Sequence, residues 1–302
     1  MSFITRLKWL MRRRKKYPPD DIHRAGDLAE MRLAKLSRAV GKSNGWKIHE
    51  SVRIPDPDGG RREIDMVIIG GNIILVVEQK HWAGSFRINN QHHFIQKRKS
   101  GVEHNHDGVA DRIARKARIL TALHVERLGL NEDLLPEVRV IVAMTHQKLE
   151  WPKIPSDLSA EMVNEKGFLD LLKNLNPGPA NEGLIATMDG FNTWDEVHMN
   201  GGLMNKGDVL ELGLGEELEN IFSLRGAEVN AQTMHKRGLF SVFDKTPSSM
   251  KIKIGEKNAE VILACGAMMK MHVVGESAPR EIPWACIDKI ILSKPAEEWN
   301  RN

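Results

Sequence analysis

The sequence predicts an α/β chain: a mixed sheet flanked by helices, followed by a small, mostly-β domain. Three observations carry that reading. Residues 64–80 hold two β-branched runs, Ile64 to Ile69 and Ile73 to Val77, about a Gly70-Gly71-Asn72 break, which is the pattern of a hairpin. Helix-period segments lie on both sides of it, over 22–40 and 109–128. From about Leu203 to Ser293 the chain changes to short strand-like runs parted by turn residues, as in a small barrel or sandwich. A chain of 302 residues with 41% hydrophobic content can bury a substantial core and fill two domains.

Taken in order, residues 1–17 read as a basic amphipathic arm, in which Phe3, Ile4, Leu7, Trp9, Leu10 and Met11 are interspersed with Arg6 and Lys8. It is too short and too charged to span a bilayer, and it lacks the apolar core and small-residue cleavage site of a secretory signal. We expect a partly disordered arm or helix that packs on the following domain or on nucleic acid. Contact of residues 1–16 with an anionic membrane surface is the alternative.

The first domain is expected over 18–176. Pro18-Pro19-Asp20-Asp21 supplies a helix start with an Asp as N-cap. The helix runs from Ile22 to Val40, with Ile22, Ala25, Ala29, Leu33, Leu36 and Val40 on one stripe and Glu30 beside it. After the hairpin come a strand over Phe86 to Gln96, a helix over Val109 to Leu128, a strand over Val138 to Met144 and a helix over Lys166 to Leu175. Asn176-Pro177-Gly178-Pro179 then breaks regular structure, and a linker is placed at 177–202.

The second domain, 203–295, is expected to carry strands at Val209 to Leu214, Leu239 to Phe243, Met250 to Ile254, Val261 to Ala264, Met271 to Val274 and Ile287 to Leu292, with a helix at Glu216 to Leu224. Met268, Met269 and Met271 are either an adaptable contact surface or core filler. Cys265 and Cys286 sit in apolar stretches without Cys-x-x-Cys spacing, as reduced core residues of a cytoplasmic protein do.

The hairpin carries chemistry. With Gly71 and Asn72 as the loop, Asp65 falls directly opposite Glu78, and period-two alternation puts Lys80 on the same face. Setting two carboxylates side by side in an apolar hairpin costs several kcal/mol unless a cation pairs with them. A hard divalent ion, Mg²⁺ or Mn²⁺, suits one or two carboxylates plus phosphate oxygens, with Lys80 beside it to orient a water and offset charge on phosphorus. The plain alternative is a solvated Asp at a strand start and a solvated Glu-Lys pair at a strand end.

Gly26-Asp27-Leu28-Ala29-Glu30 with Arg32, Leu33 and Leu36, then Glu63-Ile64-Asp65, Glu78-Gln79-Lys80 and Trp82-Ala83-Gly84, resembles the nuclease-related domain (NERD) family of the PD-(D/E)XK nucleases. The resemblance spans roughly residues 22–175 and implies a restriction-endonuclease-like core. It implies metal ligation by Asp65 and Glu78, with Glu30 completing the acidic cluster, and work by Lys80 on the attacking water. It makes Trp82 and Gly84 a structural turn beside the site. Ala29 stands where a second glycine is common in the family. Gln79 stands where an apolar residue is usual, so the strand face away from the site is expected to be less buried. Asn105-His106-Asp107-Gly108 and Arg112 occupy the region where the family often has Asn-Pro and a glutamine.

Charge is lopsided. Residues 1–150 hold 28 Lys and Arg against 18 Asp and Glu, net +10, and residues 151–302 hold 16 against 22, net −6. That asymmetry suits a first half that meets phosphate. Arg12, Arg13 and Arg14, then Lys97, Arg98 and Lys99, then Arg112, Arg115, Lys116 and Arg118 are the candidate nucleic-acid contacts, against the alternative of solvated faces. His92, His93, His104 and His106 lack the paired spacing of a structural zinc site.

The leading expectation is a metal-dependent endonuclease that hydrolyses DNA, in defence against foreign DNA or in repair. The alternative is a non-catalytic nucleic-acid-binding or adaptor protein that recruits partners through its acidic β domain, which is also the expected site of protein partnership or self-association.

Overall fold

The computed structural model describes residues 3–19, 21–131, 135–223, 227–238 and 247–296. It divides into two compact units, Ile22–Phe191 and Met1–Asp21 together with Asn192–Ala296. Helix α1 (Phe3–Arg14) belongs to the second; the first begins with α2 (Asp21–Gly41). Among the described residues no helix is long and apolar enough to cross a membrane.

The first unit is built on a five-stranded mixed sheet. Strands β1 (Lys47–Pro55), β2 (Arg61–Gly70) and β3 (Ile73–Lys80) run antiparallel in sequence. A second, four-stranded sheet follows, containing β4 (Gly84–Ile88), β5 (Phe94–Lys97) and β6 (Glu103–His106). Helix α3 (Val109–Leu128) then returns the chain to β7 (Glu137–Met144), which pairs parallel with β3. Strand β8 (Leu149–Glu150) joins the small sheet, and β9 (Glu161–Asn164) pairs parallel with β7 before α4 (Glu165–Asn174) and α5 (Glu182–Asp189). The orders are β1-β2-β3-β7-β9 and β6-β5-β4-β8.

The central strands are buried on both faces, which is why they read as continuous Val and Ile runs rather than alternating ones. Val67 and Ile69 of β2 and Ile74 and Val76 of β3 pack in one cluster with Ile113, Ala117 and Leu120 of α3. Met66 and Ile68, with Leu75 and Val77, pack in another with Leu33 and Ala34 of α2 and Phe168 and Leu172 of α4. By the same alternation Asp65, Glu78 and Lys80 belong to the α3 face. The turn between β2 and β3 is the expected one: Gly70 pairs with Ile73, and Gly71 has φ +54°. The 176–179 break braces it, since Gly71 N donates to Gly178 O at 3.2 Å and Asn181 N donates to Gly71 O at 2.8 Å.

Several expectations need correction. The single strand at Phe86 to Gln96 is two, β4 and β5, because Asn89 folds its side chain into the turn: its Oδ1 accepts from the Gln91 and His93 amides, both at 2.9 Å. Gln79 is buried, with Nε2 donating to Thr145 Oγ1 at 3.5 Å, so the face away from the site is closed. Of the two aspartates offered as N-cap, Asp20 lies outside the described residues and Asp21 is the first residue of α2; Leu239 to Phe243, an expected strand, also lie outside the described residues. The stretch 177–202, expected as a linker, contains α5 and the first strand of the other unit.

That unit is an eight-stranded antiparallel sheet. Its elements are β10 (Asp195–Met199), β11 (Met204–Glu211), α6 (Glu216–Ser223), β12 (Val229–Met234), β13 (Ser248–Ile254), β14 (Lys257–Leu263), β15 (Met268–Val273), β16 (Arg280–Pro283) and β17 (Ile287–Leu292). The order is β14-β13-β12-β17-β10-β11-β15-β16. Trp284, Met269, Met271, Ile287 and Ile290 are core residues, so the methionines are filler here. Cys286 is buried and Cys265 half-buried, both as free thiols.

The arm is part of this unit. Trp9 enters its core at 6% exposure, Tyr17 N donates to Asn200 O at 2.6 Å, and Leu203 N donates to Tyr17 O at 2.9 Å. Arg13, expected to meet nucleic acid, is 3% exposed and donates from Nη1 to Ser248 Oγ at 3.3 Å. An arginine four residues after Trp9 shares its helix face, and that face is the packed one.

Candidate active site

The β2–β3 register pairs Met66 with Val77, and one step further along the hairpin Asp65 faces Glu78. Asp65 Oδ2 accepts from the Gln79 amide at 2.7 Å, which fixes its carboxylate across the strand pair. Glu78 is held at both oxygens: Lys80 Nζ lies 2.7 Å from Oε1 and Lys116 Nζ, from α3, lies 2.9 Å from Oε2. All three of these side chains are largely withdrawn from solvent. The charged groups of the hairpin therefore meet on one face, and α3 adds a second ammonium.

Their proton affinities are split apart. Burial, then the facing Glu78 charge, pushes Asp65 up to about 7, against the pull of Lys80, the Gln79 amide and Lys116. Burial also works against ionised Glu78, yet Lys80 and Lys116, by charge and hydrogen bond, hold it below the usual carboxylate range. Burial would lower Lys80, but Glu78 and Asp65, with a smaller contribution from Glu30, hold its ammonium above the usual lysine value. Near neutral pH the cluster thus has a fixed carboxylate, a fixed ammonium and one acid that exchanges its proton.

Glu30 sits on α2, whose packed residues Leu33 and Ala34 lie against the opposite face of the sheet. Its charge reaches Lys80, but the expected cluster of three acids is not assembled: among the described residues no group of three or more His, Cys, Asp or Glu is arranged to hold a metal ion. Asp65 and Glu78 by themselves fit a hard divalent cation that takes one or two carboxylates and fills its shell with water and phosphate oxygens. The raised proton affinity of Asp65, caused first by burial and then by the neighbouring carboxylate, points the same way.

The rim comes from the small sheet. Trp82 stacks on His106 at 4.1 Å with the rings 21° apart, and its edges meet Phe86 and Phe94. Gly84 has φ +92°, and a Cβ there would lie 2.2 Å from Lys97 O, so Trp82-Ala83-Gly84 is the structural turn expected. Burial, then the charges of Lys80, His104, Arg112 and Arg98, lowers the His106 pKa and keeps this ring neutral. Lys97, Arg98 and Lys99 are exposed where β5 turns into β6, the turn closed by Gly101 N donating to Arg98 O at 2.8 Å.

The basic run on α3 divides by role. Arg112 and Arg118 are exposed, the former bonded to Asp107 O. Arg115 is committed to Asp58 and, at 3.5 Å, to Asp56 in the β1–β2 loop. Lys116, expected as a phosphate contact, is a member of the acidic cluster. The signal was present in the helix pattern: Lys116 borders the buried stripe of Ile113, Ala117 and Leu120. Arg12 and Arg14 are exposed on α1, in the other unit.

Residues 25–145 match the family described as nuclease-related domain (NERD). That segment contains Glu30, Asp65, Glu78, Lys80 and Lys116 and runs from early α2 to just past β7. No curated protein matches the chain.

Proposed function

From the premise of a nuclease-related domain, we propose that the protein is a Mg²⁺- or Mn²⁺-dependent endonuclease that hydrolyses DNA phosphodiester bonds at Asp65, Glu78 and Lys80. The observation that carries this reading is Asp65 Oδ2 bonded to the Gln79 backbone N–H at 2.7 Å and within reach of the Glu78 charge, with Lys80 Nζ 2.7 Å from Glu78 Oε1. A bound divalent ion would rest on Asp65 and Glu78 and supply Lewis-acid activation of water and of a phosphate oxygen.

The chain's own groups do the rest. Lys80 orients the attacking water and offsets negative charge as it gathers on phosphorus. Lys116 keeps Glu78 ionised. Asp65, whose proton affinity is raised in the metal-free cluster, would give up that proton as the cation binds. Glu30 acts at a distance by supporting the charge on Lys80. Lys97, Arg98, Lys99, Arg112 and Arg118 hold the phosphate backbone without reading bases.

Defence against foreign DNA or DNA repair would fit such an activity, and the free thiols suit a cytoplasmic setting. The sheet of the second unit is the surface for a partner protein or self-association. One observation favours a second reading, a non-catalytic nucleic-acid-binding or adaptor protein: Glu78 is already held at both oxygens by Lys80 and Lys116, as in a structural ion cluster.

Cleavage of supercoiled plasmid and of labelled single strands by the full chain with Mg²⁺, Mn²⁺ or EDTA tests the proposal against Lys80→Ala and Asp65→Ala. Metal-dependent cutting lost in both variants is the expected result. Equal cutting by all three proteins sinks the site assignment, and tight DNA binding without cutting moves the adaptor reading ahead.

A further inference from the structure

Helix α1 has two apolar faces, and packing accounts for one of them. Trp9 and Arg13, at i and i+4, point into the β unit and are 6% and 3% exposed. Ile4, Leu7 and Met11, at i, i+3 and i+7, form a second stripe at 63%, 37% and 57% exposure. The docking of the helix by its other side leaves this stripe facing solvent. By helical geometry Lys8 and Arg12 flank the stripe on one side and Arg14 on the other.

The charge around it has one sign. Residues 1–19 contain seven Lys and Arg and no Asp or Glu, and six of the seven, Arg6, Lys8, Arg12, Arg14, Lys15 and Lys16, are exposed. A phosphate backbone would attract these cations but gives the apolar stripe nothing to enter. The boundary of an anionic bilayer offers both, negative headgroups for the flanks and acyl chains for the stripe.

We propose that α1 is a membrane-surface contact, its Ile4–Leu7–Met11 stripe dipping into anionic lipid while Trp9 and Arg13 keep it fastened to the β unit. This inference is independent of the nuclease reading and places residues 3–16 parallel to the surface, not across it. Three apolar side chains and a handful of cations give reversible attachment, sensitive to salt and to lipid charge.

The test is co-sedimentation of the full chain with vesicles of phosphatidylcholine alone or mixed with phosphatidylserine. Binding to the anionic vesicles only, weakened by salt, is expected. Ile4→Glu with Met11→Glu should lower that binding by about tenfold or more. Lys8→Glu with Arg12→Glu, which leaves the stripe intact, should abolish the preference for phosphatidylserine. All four side chains are exposed, and unchanged thermal unfolding would confirm that the fold survives. Equal binding to both vesicle types, or wild-type binding by either double variant, overturns the proposal. So does loss of labelled-oligonucleotide binding in these variants while the wild type ignores vesicles, which would assign the arm to nucleic acid.

Discussion

Lys116 Nζ lies 2.9 Å from Glu78 Oε2, so helix α3 reaches across the sheet face and closes the acidic pair from the side opposite Lys80. Removing that ammonium leaves a largely buried carboxylate with one cation instead of two. Lys116→Ala should therefore raise the Glu78 pKa and cost about 1–2 kcal/mol of stability. In a cleavage assay the acid limb of the pH–rate profile should move to higher pH. Urea unfolding and the profile together check this; an unmoved acid limb with lowered stability would reduce Lys116 to a structural strut.

Asp65 gives the opposite sign. Its folded pKa, about 7, lies above the unfolded value near 3.8, so the folded state holds the proton more tightly and stability falls as pH rises between those values. Asp65→Asn removes that cost and keeps an oxygen for the Gln79 amide. In EDTA at pH 8 the variant should be more stable than wild type by about 2–4 kcal/mol. Adding Mg²⁺ should raise the wild-type melting temperature and leave the variant's unchanged. A variant less stable than wild type in EDTA would contradict the electrostatic account.

The hairpin and its site were legible because the signals are local and strong. The Gly-Gly-Asn turn sets the register, and the register sets which charges share a face. Helix α3 could be read from its apolar period to its observed bounds, Val109–Leu128. What escaped depends on tertiary partners. Nothing near Lys116 in sequence announces Glu78, and nothing near Arg13 announces Ser248, 235 residues away. Strand β10, Asp-Glu-Val-His-Met, has two apolar residues in five and joins the sheet by register with β17 and β11 rather than by its own hydrophobicity. Glu30 has its place on α2 and its charge reaches Lys80, but among the described residues no group of three acids is arranged to hold a metal ion.

The arm is tied down by a relay. Arg13 Nη1 donates to Ser248 Oγ, the Ser248 hydroxyl donates to His235 Nδ1 at 2.8 Å, and His235 Nε2 donates to Trp284 O at 3.0 Å. Burial, then the nearby Arg237 charge, holds the imidazole neutral, from its usual 6.5 down to about 4. The unfolded chain takes up this proton first, so the unit loses stability as pH falls from about 6.5 to about 4. Ser248→Ala should cost about 1–3 kcal/mol and expose the arm to proteolysis at neutral pH. Thermal unfolding across that range and limited digestion measure both; flat stability from pH 7 to pH 4 would sink the relay.

The hairpin turn is also a structural hinge pin. A Cβ on Gly71 would stand 2.1 Å from the Pro177 carbonyl oxygen, and that backbone atom cannot swing aside as a side chain would. With φ at +54° the position is strained for an L side chain as well. Gly71→Ala should cost about 1–3 kcal/mol, and the shift should appear in the urea midpoint of the unit that holds the candidate site. An unchanged midpoint would mean that the 176–179 segment does not brace the turn.

The basic groups can be sorted by salt. Lys97, Arg98 and Lys99 are exposed at the β5–β6 tip, whereas Arg13 is buried and bonded within its own unit. If the tip holds phosphates, replacing all three with alanine releases fewer counterions on binding. The slope of log K against log salt for duplex DNA should then become shallower by about 2–3. Arg13→Ala should leave that slope alone and lower the melting temperature instead, since it unpins α1. Equal slopes in wild type and the triple variant would remove the β5–β6 tip from the nucleic-acid surface and leave Arg112 and Arg118 to carry it.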